Sequence, residues 1–109
     1  METTQSAITS GNKSKLNYMA VNDAAMTLRA IKHKLRQQIL KLLDQNKRLN
    51  VTDIYVKLHL EQAVASQQLA ILRNAKIVST EREGKEIFYS LNSTRIEQVA
   101  TFIKKLTSE

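Results

Sequence analysis

At 109 residues the chain has room for one compact domain, and 42% hydrophobic with 25% charged residues marks a globular protein rather than a disordered one. It has no cysteine, which excludes disulfides, thiolate metal sites and thiol redox switches. No apolar run is long enough to span a bilayer or form the core of a secretory signal, so a cytoplasmic location is expected. The formal charge of +7 favours a polyanionic partner, of which nucleic acid is the commonest, and says nothing about fold.

Residues 1–15 are rich in Thr, Ser, Gln, Asn and Lys without apolar periodicity, and read as a flexible arm ahead of a single domain over 16–109. A first helix is expected over 16–31, with Tyr18, Val21, Ala25 and Leu28 on one face. A second follows over 34–44, its apolar stripe formed by Leu35, Ile39, Leu42 and Leu43 and its other face by Arg36, Gln37 and Lys41. Residues 45–48 read as a polar loop. Asn50 is a good N-cap for a short third helix, Asp53 suits its positive end, and Leu49 with Ile54 can form a hydrophobic staple. The pattern breaks at His59-Leu60-Glu61, and a fourth helix over 62–74 buries Ala65, Leu69 and Leu72.

Beyond residue 76 the period changes from helical to alternating. Residues 77–82 and 86–91 are rich in β-branched and aromatic side chains, and Gly84 lies in the tight connection between them, the pattern of a hairpin. Ile87, Tyr89 and Leu91 share one face; Phe88 and Ser90 share the other. A closing helix is expected from Thr94, where Thr94 and Glu97 have capping-box spacing, with Ile96, Val99, Ile103 and Leu106 as its stripe. The fold class is therefore mainly α with a β-hairpin, in the order α-α-α-α-β-β-α.

A short helix, a three-residue break and a longer helix make a helix-turn-helix, and the hairpin that follows stands where a wing would lie. In such a unit the second helix enters the major groove. Gln62, Ala63, Ser66, Gln67 and Ala70 cluster opposite the buried face of helix 62–74, and their chemistry suits that role. Glutamine can bond bidentately to adenine, serine can donate or accept, and alanine can pack on a thymine methyl. On the wing, Arg82 and Lys85 flank Gly84 as candidates for phosphate or minor-groove contact, with Glu83 and Glu86 diluting the local charge. An ordinary polar solvent face and a charged turn are the plainer readings of these two segments.

The segments Leu35–Leu43, Ile54–Val78 and Arg82–Leu91 resemble the ArsR/SmtB family of winged helix-turn-helix repressors, across roughly residues 28–91. The resemblance implies a homodimer on double-stranded DNA, with the first and last helices forming the interface. Tyr18, Val21, Leu28, Ile96, Val99, Ile103 and Leu106 are the candidates for that interface. Many members sense metals through cysteines at the start of the third helix; here Asn50 and Thr52 stand in their place. A second family metal site on the last helix corresponds to Ser93, Arg95, Leu106 and Glu109, which cannot form it. No metal or other cofactor is expected. His59 and Lys76 occupy positions where the family carries glycine, and left-handed backbone there would cost each about 1 kcal/mol. Glu61 replaces the usual hydroxyl cap of the fourth helix.

The expected function is a sequence-specific transcriptional regulator, a repressor on the strength of the resemblance, acting on a palindromic operator. The alternative is a winged-helix module that binds protein through the same surface. No carboxylate pair, nucleophile with a base, or phosphate-cradling glycine loop points to an enzyme.

Overall fold

The computed structural model describes residues 17–107; the arm expected over 1–15 lies outside the described residues. Among these residues five helices and a three-stranded sheet follow in the order α1 (Tyr18–Lys32), α2 (Lys34–Asn46), β1 (Arg48–Asn50), α3 (Val51–Lys57), α4 (Gln62–Asn74), β2 (Val78–Glu83), β3 (Glu86–Leu91) and α5 (Ser93–Thr107). Among the described residues no helix is long and apolar enough to cross a membrane.

The core is built where the helical stripes converge. Ile39 and Leu43 of α2, Ile54 of α3, Leu69 and Leu72 of α4, and Ile77 at the entry to β2 are all fully buried. Burial of each such side chain is worth about 1.5–3 kcal/mol, and together they fix α4 against the helices behind it. The face of α4 expected to be buried is the one that is.

The order differs from the expected one by a strand. Residues 45–48 are not simply a loop: α2 runs on to Asn46, and Lys47 then turns at a φ of 67°, its N–H bonded to the Leu43 carbonyl. That reversal lays Arg48–Asn50 antiparallel to β3, with Leu49 opposite Tyr89, in a sheet of order β1-β3-β2. A three-residue strand has too few residues to show a period, and its partner lies some forty positions further along, so local pattern cannot reveal it.

The last helix also starts earlier than the spacing of Thr94 and Glu97 suggests. Asn92 accepts from the Arg95 N–H through Oδ1 at 3.2 Å and donates through Nδ2 to the Lys76 carbonyl at 3.0 Å. One side chain thus caps α5 and ties it to the turn after α4.

Helix α5 packs on α1 through a polar contact as well as an apolar one. Arg95 meets Asp23 at 2.8 Å and donates to the Thr27 hydroxyl at 3.1 Å, beside the buried pair Ala24 and Val99. Thr27, 1% exposed, itself donates to the Asp23 carbonyl, so this buried hydroxyl is satisfied. The Arg95 guanidinium holds the Asp23 carboxyl below its ordinary value.

Candidate nucleic-acid interface

The break between α3 and α4 is set by backbone geometry. The His59 N–H bonds to the Val56 carbonyl and the Leu60 N–H to that of Tyr55, and His59 sits at φ 57°. Lys76, after α4, sits at φ 64°. Both non-glycine residues do occupy the left-handed region, so the turn keeps its shape at the expected cost. Asn50 caps α3, its Oδ1 accepting from the Asp53 N–H at 2.8 Å. Leu49 and Ile54 are both in the core.

With Ala65, Leu69 and Leu72 fully buried, α4 turns Gln62, Ala63, Ser66, Gln67 and Ala70 to solvent. Among the described residues none of these five is consumed by a side-chain bond to another part of the protein. Gln68, next to them, is different: it is half-buried, and its Oε1 accepts from Arg36 at 2.8 Å. Arg36 also donates to the Ala30 carbonyl at 2.7 Å, so it joins the end of α1 to the middle of α4. Nothing in the spacing of Arg36, read as one of several polar residues on α2, marks it for this task. Glu61 stands at the N-cap of α4 and makes no side-chain cap bond.

The wing is a tight hairpin in which Glu83 pairs with Glu86. Gly84 takes φ 64° and Lys85 does not have positive φ, the arrangement of a type II′ turn with glycine first. Strand register then sorts the charges. Arg82 lies opposite Ile87, on the face shared with Val78, Thr80, Tyr89 and Leu91, which is the face packed toward the helices. Glu81, Glu83 and Glu86 share the opposite face with Phe88. The acids that dilute the charge of this segment in sequence are thus separated from Arg82 in space. Arg82 donates from Nε to the Gly84 carbonyl at 3.2 Å, and both Arg82 and Lys85 are exposed.

Between the start of α3, the exposed side of α4 and the wing runs an open cleft of about 540 Å³. Thr52, Ser66, Lys85 and Tyr89 contribute to its lining. Of the α4 candidates the structure places Ser66 on this concave surface together with Lys85, while Gln62, Ala63, Gln67 and Ala70 lie outside its lining and Arg82 sits at the hairpin tip. Among the described residues no group of three or more His, Cys, Asp or Glu side chains could hold a metal ion.

The residues expected at a dimer interface divide into two sets. Tyr18, Leu28 and Leu106 are exposed at 62%, 41% and 45%, and Val21 and Ile103 are half-buried. Val99 is buried inside the protomer and Ile96 packs against the core, so their apolar area is already largely covered. Met19, at 84% exposure, joins the uncovered set and was not singled out by the helical spacing.

A helix-turn-helix followed by a hairpin and backed by a helix that buries Ile39 and Leu43 against it is a winged helix-turn-helix, a DNA-binding domain. Residues 33–80 match the model of the bacterial regulatory proteins of the arsR family. The chain is 35% identical over 92 residues to the transcriptional repressor PagR of Bacillus anthracis, spanning 84% of this chain and 92% of that protein. It is 35% identical over 83 residues to the transcriptional activator HlyU of Vibrio cholerae, 76% of either chain. The crystal structure of PagR superposes with a TM-score of 0.68 at 36% identity, covering 80% of this chain and 99% of that one. HlyU from Vibrio cholerae gives a TM-score of 0.65 at 31% identity, covering 82% and 96%. The chain belongs to the arsR family and is a DNA-binding transcriptional regulator.

Proposed function

We propose that the protein is a cytoplasmic transcriptional repressor that binds a palindromic operator as a homodimer, one α4 helix in each of two successive major grooves. The observation that carries this reading is the row Gln62, Ala63, Ser66 and Gln67, exposed and without side-chain bonds among the described residues, on a helix whose opposite face is fully buried. Amide, hydroxyl and methyl groups in that row can read base edges, while Arg82 and Lys85 supply the cations for the backbone. Tyr18, Val21, Leu28, Ile103 and Leu106 form the dimer face, with Ile96 and Val99 supporting it from within the protomer. A dimer of this kind presents half-sites about one helical turn apart, roughly 34 Å. Repression is the sense taken because PagR, matched over 92% of its length, is a repressor; HlyU, matched over less of its length, is an activator.

The test is selection of bound duplexes from random-sequence DNA, followed by transcription in vitro from a promoter carrying the selected site. A palindrome with one-turn spacing and reduced transcript supports the proposal. A palindrome with increased transcript reverses the sense alone. Salt-sensitive binding without a motif removes sequence specificity, and no binding at low salt leaves the surface to a protein partner.

A further inference from the structure

We infer that Arg48 and Asn50 of β1 are wing-positioning residues, which hold the carboxylates of the hairpin on the sheet face opposite Arg82 and so set DNA affinity without contacting DNA. The inference rests on the DNA-binding reading above and deepens it.

The wing carries Glu81, Glu83 and Glu86 against Arg82 and Lys85, so the hairpin by itself is no better than neutral. Its orientation decides what an approaching phosphate meets. A carboxylate within a Debye length of about 10 Å repels the phosphate, and a roll of the hairpin would exchange Arg82 for those acids. Two contacts from β1 oppose such a roll. Arg48 reaches Glu83 at 2.9 Å and Glu81 at 3.9 Å, and its guanidinium lies 4.0 Å over the Phe88 ring. Asn50 donates from Nδ2 to Glu86 at 2.6 Å. Residues 48 and 50 are two apart on one strand, so they share a sheet face, and it is the face of all three carboxylates.

Asn50 has a second attachment that gives the contact its meaning. Its Oδ1 is the cap acceptor of α3, which leaves Nδ2 as the group that meets Glu86. A single amide therefore spans the helix-turn-helix and the wing. The Arg48 pairs are too exposed, at 41% for the arginine and 55–73% for the acids, to add much to stability. Their effect is on direction rather than on folding.

Affinity for the selected operator is measured for two sets of variants, with the melting temperature as a control on folding. Arg48→Ala is expected to weaken binding about tenfold, the size of a lost bond to a charged group. The same change made in a Glu81→Gln, Glu83→Gln background should cost under about threefold, with the salt slope unchanged in both. If Arg48 instead contacts a phosphate, its loss is equal in both backgrounds and the slope falls by about 0.9, which overturns its positioning role. Asn50→Asp keeps a cap acceptor but faces Glu86 with like charge, and is expected to weaken binding about tenfold. Adding Glu86→Gln returns a donor to that contact at unchanged net charge and should restore binding. An Asn50→Asp variant that binds as tightly as the parent, or one that Glu86→Gln does not rescue, sinks the role of Asn50. A parent protein that fails to bind any selected DNA refutes the DNA-binding reading itself, and the inference with it.

Discussion

Arg36 on α2 and Gln68 on α4 are joined at 2.8 Å, a bond between the helix beneath the helix-turn-helix and the helix that carries the candidate base-reading row. The same guanidinium satisfies the carbonyl of Ala30, a residue 4% exposed. Arg36→Met keeps most of the apolar stem but leaves that carbonyl and the Gln68 amide without their partner. The expected loss is about 1–3 kcal/mol, read as a lower urea midpoint at constant m-value. Unchanged stability would mean that water replaces the guanidinium at no cost.

Gln67 and Arg82 should fail in different ways. Gln67→Ala is expected to weaken binding by about 1–3 kcal/mol at particular base pairs and to relax preference there. Arg82→Ala should weaken binding across all sequences and reduce the salt slope by roughly one unit. Binding titrations on operator variants at several salt concentrations distinguish the two; equal loss on all DNA from Gln67→Ala counts against α4 as the reading helix.

Glu61 caps α4 only by its backbone, and its charge stands at the helix end nearest the candidate row. Glu61→Ser supplies a hydroxyl cap and removes a negative charge from that end. Stability should rise by about 0.5–1 kcal/mol, and DNA should bind more tightly at low salt. A rise in affinity that persists undiminished at high salt would point to a contact rather than to relieved repulsion.

The left-handed positions offer a test of backbone strain. His59→Gly and Lys76→Gly each remove a Cβ from a residue at positive φ, 57° and 64° respectively. Each should stabilise the fold by about 1 kcal/mol, less whatever entropy glycine adds to the unfolded chain. Thermal unfolding of the two variants measures the balance, and a lower melting temperature in both would show that entropy outweighs strain.

Asp23 and Arg95 make the α1–α5 contact sensitive to acid. The Asp23 carboxyl is held below its ordinary value chiefly by its bond to Arg95, so the folded state favours its charged form. The resulting stabilisation is fully present above the unfolded value of about 3.9 and is lost as pH falls through the lower folded value. Asp23→Asn should therefore be less stable than the parent at neutral pH, the gap beginning to close only once the pH falls below about 3.9. A gap that stays constant as the pH is taken further into acid would assign the effect to packing.

Much of the fold is written locally in the chain. The stripe Ala65, Leu69 and Leu72 defines which side of α4 is buried, and hence which side holds Gln62, Ser66 and Gln67, because the helical period leaves no other choice. Asn50 as a cap and Gly84 in the hairpin are equally local, since each acts within three or four residues. The left-handed His59 and Lys76 were legible through the family resemblance, which marks both as glycine positions.

What tertiary structure decided is what depends on residues far apart in the chain. Arg48 reads as part of a polar loop until β3 arrives to pair with it, and Arg36 as one surface cation until α4 brings Gln68 within reach. Thr94 and Glu97 have the spacing of a capping box, yet Asn92 is the residue that caps α5, because its bond to the Lys76 carbonyl positions it. Val99 and Ile96 belong to the same helical stripe as Ile103 and Leu106, and only the packing of α1 shows which of them the protomer has already covered. Periodicity fixes which face a side chain takes, through bond geometry within one element; what lies against that face is set by the meeting of distant elements, and no local pattern encodes it.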